Sequence, residues 1–186
     1  IGDVSGHGIG PAMLMAETRA YLRILTRNRN DLSLILTRAN TMVGEDVGEE
    51  RFVTMLLAKL DPEKRTLVYA SAGHSPAFIL GSDGAVKSEL RRTGMPLGVM
   101  QDAEYTVSKP LRLARGDVLV LLTDGLEETA NPEGELFGVD RILQAVHQNR
   151  QSKAAKIVES VFETLKDFSG NAEQVDDLTM IVAKAE

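Results

Sequence analysis

Asp3-Val4-Ser5-Gly6-His7-Gly8 stands almost at the start of this 186-residue chain, where the end of an apolar strand gives way to a glycine-rich bend. Pro11 suits the first turn of a helix, so the sequence predicts a strand, a bend and a helix in quick succession. The small residues after Asp3 allow the backbone to approach a ligand closely. We therefore expect the Asp3 carboxylate to lie at a strand end that is open to a bound group.

Two further motifs place carboxylates next to predicted strands. Thr123-Asp124-Gly125 follows the apolar run 118–122, and Asp176-Asp177-Leu178-Thr179 precedes the last strand. Taken singly, each aspartate is equally well explained as a turn former or a helix cap. Three in the same context favour a site for Mg²⁺ or Mn²⁺, because these cations prefer oxygen ligands and converging carboxylates repel one another without a cation. A pair of such ions about 3.5–4 Å apart is a known device for phosphoester hydrolysis.

Composition limits the classes of function. The chain has 43% hydrophobic and 26% charged residues, as globular proteins do, and it has no cysteine for a disulfide, a thiolate metal site or a nucleophile. Its net charge of −6 disfavours nucleic acid and an anionic membrane as partners. No apolar run approaches the roughly 20 residues of a membrane span. We expect a cytoplasmic protein.

Hydrophobic periodicity predicts helices towards the two ends of the chain and strands in its middle. The helices 11–27 and 31–47 follow the first motif, and Asp31 is the expected N-cap of the second. Apolar residues at helical spacing predict shorter helices around 139–146 and 157–165. Strands are predicted over 53–60, 66–72, 76–80, 85–89, 104–109, 117–123 and 178–183. This order favours an α+β fold, and since no linker is recognisable, we expect residues 1–186 to form a single domain.

Five motifs in this order resemble those of the metal-dependent protein phosphatases of the type 2C (PPM) superfamily, most closely its bacterial SpoIIE/RsbU-like branch. They are Asp3-Val4-Ser5-Gly6-His7-Gly8, Ala72-Gly73-His74-Ser75-Pro76, Gly94-Met95-Pro96-Leu97-Gly98, Thr123-Asp124-Gly125-Leu126-Glu127-Glu128 and Asp176-Asp177-Leu178-Thr179. The resemblance implies an α-β-β-α sandwich of two mostly antiparallel sheets flanked by helix pairs. Because the family has a strand pair before the first motif, we expect this domain to be incomplete at its N-terminus.

The resemblance also implies a binuclear centre of Mn²⁺ or Mg²⁺. Asp3 would bridge the two ions, and the Val4 carbonyl would touch the second. Asp124 and Asp176 would bind the first ion, so Asp3, Asp124 and Asp176 form the expected catalytic set. The sequence leaves open whether Asp176 or its neighbour Asp177 is the ligand. An acidic ligand of the second ion belongs to the family's earlier strands, so we expect two ions in the complete domain and at most one in this chain.

Other residues near the motifs are expected in supporting positions. Gly125 would allow a close backbone approach, Asp177 would be a neighbour of the ligands, and His7 would affect substrate or turn geometry. His74 is expected to be structural, with a hydrogen bond to a loop near the site. Glu127 and Glu128 are interpreted as part of a charged loop.

As for function, the resemblance implies a serine/threonine protein phosphatase of bacterial signalling. It would act on phosphoserine or phosphothreonine of a regulatory protein of the anti-sigma-factor-antagonist type. An upstream sensor or receiver domain in the parent protein and a homodimer are further expectations. The alternative is a non-catalytic regulatory or binding domain on the same fold, inactive in this truncated form.

Overall fold

The computed structural model describes residues 1–28, 30–47 and 51–186. The elements in chain order are β1 (Gly2–Val4), α1 (Ile9–Asn28), α2 (Leu32–Asp46), β2 (Val53–Asp61), β3 (Thr66–Ala72), β4 (Ala77–Leu80), β5 (Val86–Leu90), β6 (Leu111–Arg112), β7 (Val118–Leu122), α3 (Asp124–Glu128), α4 (Gly138–Asn149), α5 (Ala154–Ser169) and β8 (Met180–Lys184). They divide into two compact units. Unit 1 comprises Ile1–Ser75 and Arg91–Arg112, and unit 2 comprises Pro76–Leu90 and Leu113–Glu186.

The sheet of unit 1 carries the first motif on its edge strand. Its order is β1-β2-β3-β6, and every neighbouring pair is antiparallel. Asp3 lies opposite Thr54, and Val4 lies opposite Val53. Beyond the ladder, Ser5 N donates to the Phe52 carbonyl at 3.0 Å and Phe52 N donates to Ser5 Oγ at 2.9 Å. The bend after Asp3 is therefore attached to the residues that precede β2.

Helix α2 supplies much of the core of unit 1. Its predicted N-cap is confirmed, because Asp31 Oδ1 accepts hydrogen bonds from Ser33 N at 3.0 Å and Leu34 N at 3.3 Å. The buried cluster contains Ile35, Leu36, Ala39 and Val43 of α2 with Leu14 of α1, Val53, Met55, Ala70, Leu97 and Tyr105. The spacing of Leu14, Met15, Thr18, Leu22 and Leu25 predicts that they form one face of α1. This prediction is wrong at Met15, which is 51% exposed. Successive helical side chains point about 100° apart, which carries Met15 away from its buried neighbour.

The predicted strand 104–109 does not form. Ser108 N donates to the Tyr69 carbonyl at 2.8 Å, but Tyr69 N donates to the Ser108 hydroxyl at 3.0 Å instead of to a backbone carbonyl. Pro110 follows and has no N–H to offer a ladder. The short strand β6, Leu111–Arg112, pairs with β3 instead.

Unit 2 has its own sheet, in the order β5-β4-β7-β8, again with antiparallel neighbours. All five residues of β7 are buried, as the apolar run 118–122 predicts. The core of unit 2 is formed by strands β4 and β7 with apolar residues of α4 and α5, among them Ile142, Val146, Ile157, Val161 and Leu165. These two helices and β8 confirm the predictions for the C-terminal part of the chain.

Helix α3, Asp124–Glu128, was not predicted. The sequence analysis interprets Glu127 and Glu128 as a charged loop, whereas both lie in this single helical turn. Thr129 Oγ1 donates to the Gly125 carbonyl at 2.7 Å and so satisfies an acceptor at the end of the turn.

The two antiparallel sheets with their helices confirm the α+β class. Among the helices that the structure describes, none is long and apolar enough to cross a membrane.

Candidate metal centre

In unit 1, the peptide that carries Asp3 is held through its neighbour on β2. Thr54 Oγ1 donates to the Asp3 carbonyl at 3.5 Å and lies 2.9 Å from Nδ1 of His74. His74 is buried, with only 2% of its surface exposed. This contact fits the structural role expected for His74, although its partner lies on a strand and not on a loop.

The bend between β1 and α1 depends on two glycines. Gly6 and Gly8 have φ angles of +83° and +95°, in the left-handed region that side chains with a Cβ rarely adopt. His7 lies between them and is exposed. The half-buried Asp3 and the exposed His7 are therefore separated by a turn whose backbone only glycine readily allows.

In unit 2, a buried threonine joins the other two acidic motifs. Thr123 N donates to the Thr179 carbonyl at 3.0 Å, and Thr179 N donates to Thr123 Oγ1 at 3.1 Å. The same hydroxyl donates to the Asp177 carbonyl at 3.1 Å. Because Asp124 directly follows Thr123, these three bonds hold the start of α3 beside residues 176–179. We call this arrangement the threonine clamp.

Gly125 completes the contact between the two motifs. A Cβ at Gly125 would lie 2.5 Å from the Asp177 carbonyl oxygen and 3.4 Å from the Asp176 Cβ. Only glycine leaves room for this approach. Asp124 is half-buried, whereas Asp176 and Asp177 are exposed, and Asp176 Oδ1 accepts a hydrogen bond from Asp177 N at 2.7 Å.

The chemistry of these side chains suits a hard cation. In the part of the chain that the structure describes, Asp124, Asp176 and Asp177 form no ion pair with a basic side chain. Carboxylate oxygens are the ligands that Mg²⁺ and Mn²⁺ prefer.

The predicted ligands and supporting residues belong to two units. Asp124, Gly125, Asp176 and Asp177 come together in unit 2, whereas Asp3, Val4 and His7 are residues of unit 1. Within either unit, the described residues contain no group of three or more histidine, aspartate or glutamate side chains that could hold a metal ion. The assignment of individual metal ligands therefore stays a prediction.

Sequence reasoning missed the threonine clamp. Thr123 is 2% exposed, and no periodicity marks it as a link between segments more than 50 residues apart. The available signal was that both acidic motifs carry a threonine on their strand side, Thr123 and Thr179.

Comparison with known proteins places the chain in a family. The family model described as Stage II sporulation protein E (SpoIIE) matches residues 1–186. The phosphoserine phosphatase RsbU of Bacillus subtilis (strain 168) is 30% identical over 187 residues, which cover 99% of this chain and 54% of RsbU. The chain thus spans about half the length of RsbU.

Solved structures show the same fold. The SiaA-PP2C domain of Pseudomonas aeruginosa has a TM-score of 0.85 at 23% identity, over 100% of this chain and 73% of that one. The catalytic domain of the serine/threonine protein phosphatase PstP, in complex with two manganese ions, has a TM-score of 0.67 at 19% identity, over 98% and 85% of the two chains. Because the family model matches from the first residue to the last, the chain belongs to the SpoIIE family, and its fold is that of the SiaA-PP2C domain.

Proposed function

We propose that residues 1–186 act as one domain, the phosphatase domain of a protein that removes phosphate from phosphoserine or phosphothreonine of a regulatory protein. The observation that carries this proposal is the threonine clamp, which holds Asp124 beside the segment with Asp176 and Asp177. Membership of the SpoIIE family, the name of RsbU and the two manganese ions of PstP support it.

Divalent ions would be held by the carboxylates of the acidic motifs. Asp124 and Asp176 would bind one Mg²⁺ or Mn²⁺, Asp3 would bridge to a second ion, and the Val4 carbonyl would touch that second ion. When bound, such ions activate water and offset the negative charge of phosphoryl oxygens.

The residues around the predicted metal ligands would hold those ligands in position. Thr54 holds the Asp3 peptide on the strand side, and Thr123 holds the 176–179 segment against α3. Gly6 and Gly8 allow the left-handed backbone of the bend beyond Asp3. Such pre-set positions matter because a displacement of about 1 Å is enough to damage a catalytic geometry.

The relation to RsbU also suggests the biological setting. We propose a substrate of the anti-sigma-factor-antagonist type in bacterial signalling, and the family resemblance supports it. The upstream sensor or receiver domain, the homodimer and the cytoplasmic location stay predictions.

The proposal is tested by replacing Asp124. The variant Asp124→Asn keeps the size of the side chain but removes its charge, so we expect hydrolysis of a phosphoserine protein and of an aryl phosphate in Mn²⁺ or Mg²⁺ to fall by orders of magnitude. The thermal unfolding midpoint should stay near that of the wild type.

Asp167→Asn is the matched control, because Asp167 is exposed on α5 and should not affect turnover. Full activity of the wild type in excess chelator, or equal activity of the two variants, would contradict the proposal.

A further inference from the structure

Helix α3 carries Asp124 but is too short to be stable by itself. It has five residues, and isolated helices shorter than about 12 residues are marginal in water because the first turn is costly to form. The threonine clamp holds only the beginning of α3, through the bond from Thr123 to the Asp177 carbonyl. The contacts at its other end therefore also decide how firmly Asp124 is held beside the segment 176–179.

The end of α3 is bonded to the loop that connects it to α4. Thr129 Oγ1 donates to the Gly125 carbonyl at 2.7 Å, inside the helical turn. The Thr129 carbonyl in turn accepts from Phe137 N at 2.8 Å, where the loop returns. The end of α3 is therefore attached to the last residues of the loop, and its position depends on theirs.

Arg141, in the first turn of α4, holds these last residues of the loop. Its Nη1 donates to the carbonyls of Leu136 and Phe137, both at 3.0 Å, and its Nη2 forms an ion pair with Glu135 at 2.5 Å. A guanidinium is suited to this because it presents several N–H donors in a rigid plane. One side chain thus binds three consecutive residues of the loop.

The guanidinium of Arg141 is itself held in place by aromatic rings. Its Cζ lies 4.8 Å from the centre of the Phe168 ring on α5, and a cation over an aromatic face is attracted to it. The Phe168 ring lies 5.3 Å from the ring of Phe137, which is completely buried. Arg141 therefore connects the loop to the core of unit 2, and every residue in these contacts belongs to that unit.

We propose that Arg141 is a positioning residue for Asp124, and this inference rests on the function proposed above. Arg141 holds Phe137, Phe137 N–H holds Thr129, and the Thr129 hydroxyl holds Gly125, which follows Asp124 in α3. Groups that hold a metal ligand from behind set its orientation, and so they affect metal affinity without touching the ion. Arg141 acts through the loop and is not itself a metal ligand.

The competing explanation is that Arg141 only stabilises the fold. If its bonds served α4 and α5 alone, its loss would lower the free energy of unfolding and leave the metal affinity of the folded protein unchanged. Arg150, at the other end of α4, provides the comparison. It also donates to two backbone carbonyls, those of Ser82 at 3.1 Å and His147 at 2.9 Å, but it fastens the turn between β4 and β5 and not α3.

Four single variants and one double variant test the proposal. Arg141→Ala removes the contacts with the loop, and Arg141→Lys keeps the charge without the rigid fork. Thr129→Val breaks the same route at the end of α3 while keeping the shape of the side chain. The double variant combines Arg141→Ala with Thr129→Val, and Arg150→Ala is the matched control. All measurements use the full chain well below the lowest thermal unfolding midpoint, so that every variant is folded.

Two quantities are measured on each variant: the Kd of Mn²⁺ by calorimetry, and the rate of amide hydrogen exchange in α3 of the metal-free protein. Arg141→Ala and Thr129→Val should each weaken Mn²⁺ binding about tenfold and speed exchange in α3, because the end of the helix is released. Arg141→Lys should be intermediate. The double variant should be no worse than the weaker single variant, since both changes break one route. Arg150→Ala should match the wild type in both quantities although it also loses stability.

The measurements separate this inference from the proposed function. Equal Mn²⁺ affinity in Arg141→Ala and the wild type would overturn the positioning role, as would an equal loss of affinity in Arg150→Ala or a double variant much weaker than either single one. If Arg141→Ala does not fold, Thr129→Val and Arg141→Lys decide by the same criteria.

The wild type provides the remaining outcomes. A wild type that binds no Mn²⁺ would overturn the inference, since no metal ligand would remain to be positioned. A wild type that binds Mn²⁺ but does not hydrolyse p-nitrophenyl phosphate or a phosphoserine protein would overturn the proposed function, while the comparison of Mn²⁺ affinities would still decide the role of Arg141.

Discussion

Gly125 sets how closely the two acidic motifs of unit 2 approach each other. In Gly125→Ala the new methyl would lie 2.5 Å from the Asp177 carbonyl oxygen, a backbone atom held in place by the threonine clamp. We expect a loss of about 1–3 kcal/mol in the free energy of unfolding and weaker Mn²⁺ binding, because the overlap can be relieved only by moving one motif away from the other. Thermal unfolding and a Mn²⁺ titration check both effects. Equal Mn²⁺ affinity in Gly125→Ala and the wild type would show that this contact does not matter for the metal.

Tyr105 carries a buried hydroxyl to which no described protein group bonds. Tyr105→Phe removes this unpaired polar atom at little change in volume, so we expect unfolding to cost about 1 kcal/mol more and the thermal midpoint to rise by about 2–4 °C. Tyr21→Phe is the contrasting variant, because it removes an existing hydrogen bond to Asp46 and should not stabilise. A lower thermal unfolding midpoint for Tyr105→Phe than for the wild type would mean that the Tyr105 hydroxyl forms a hydrogen bond in the folded protein.

The pKa of Tyr105 leads to a prediction for the stability of the protein at alkaline pH. Burial raises the pKa of Tyr105 from 10.0 to about 12, so the folded state holds the phenol proton more tightly than the unfolded state. The part of the folding free energy that depends on this pKa difference is constant below pH 10.0. It is lost as the pH rises through about 12, because the unfolded state releases the proton first. Unfolding by denaturant across this range should show a steeper loss of stability in the wild type than in Tyr105→Phe. Parallel curves for the two proteins would contradict the assignment.

At the scale of elements, Asn40 attaches helix α2 to the loop that contains the Gly94–Gly98 motif. Its Nδ2 donates to the carbonyls of Met100 at 2.9 Å and Gln101 at 3.0 Å, and its Oδ1 accepts from Gly98 N at 2.9 Å. Asn40→Ala would leave these backbone groups without their partner, and we expect a loss of about 2–4 kcal/mol in the free energy of unfolding.

Thr41→Ala is the control for this prediction, since the exposed Thr41 hydroxyl bonds only within its own helix. The measurement is equilibrium denaturation of both variants. If Asn40→Ala lost no more stability than Thr41→Ala, the connection between helix and loop would be unimportant for folding.

Elements with strong local signals could be predicted from the sequence. The apolar run of β7 and the Asp31 cap of α2 depend on residues close together in the chain, and both are found as predicted. The stretch 104–109 was predicted wrongly because alternation resembles a strand, whereas the Ser108 hydroxyl takes the place of a ladder carbonyl. Helix α3, with five residues, is too short to show a helical period.

The residue types of the candidate site could be predicted from the sequence. The hydrogen bonds that hold these residues in place could not. The aspartates stand out because three acidic motifs share the same context next to predicted strands. The bonds of Thr123 to Asp177 and of Thr54 to His74 join distant segments, and which threonine faces which partner follows only from the pairing of strands.

At the scale of the whole molecule, tyrosine fluorescence reports on the unfolding of unit 1 alone. The three tyrosines, Tyr21, Tyr69 and Tyr105, all belong to unit 1, and the chain has no tryptophan. If residues 1–186 unfold as one domain, the midpoint from tyrosine fluorescence should coincide with the midpoint from far-ultraviolet circular dichroism, which reports on both units. Two separated midpoints would show that the units unfold independently.

The chain passes between the two units three times, and this limits how recombination can exchange one unit without the other. Each unit is built from two separate stretches of sequence, so the backbone passes from one unit to the other after Ser75, after Leu90 and after Arg112. A single break in the gene therefore never separates one whole unit from all of the other: a break after Arg112, for example, leaves unit 1 together with residues 76–90 of unit 2. Exchanging one unit between relatives would need several crossovers at once, and selection on either half of the coding sequence acts on both units together.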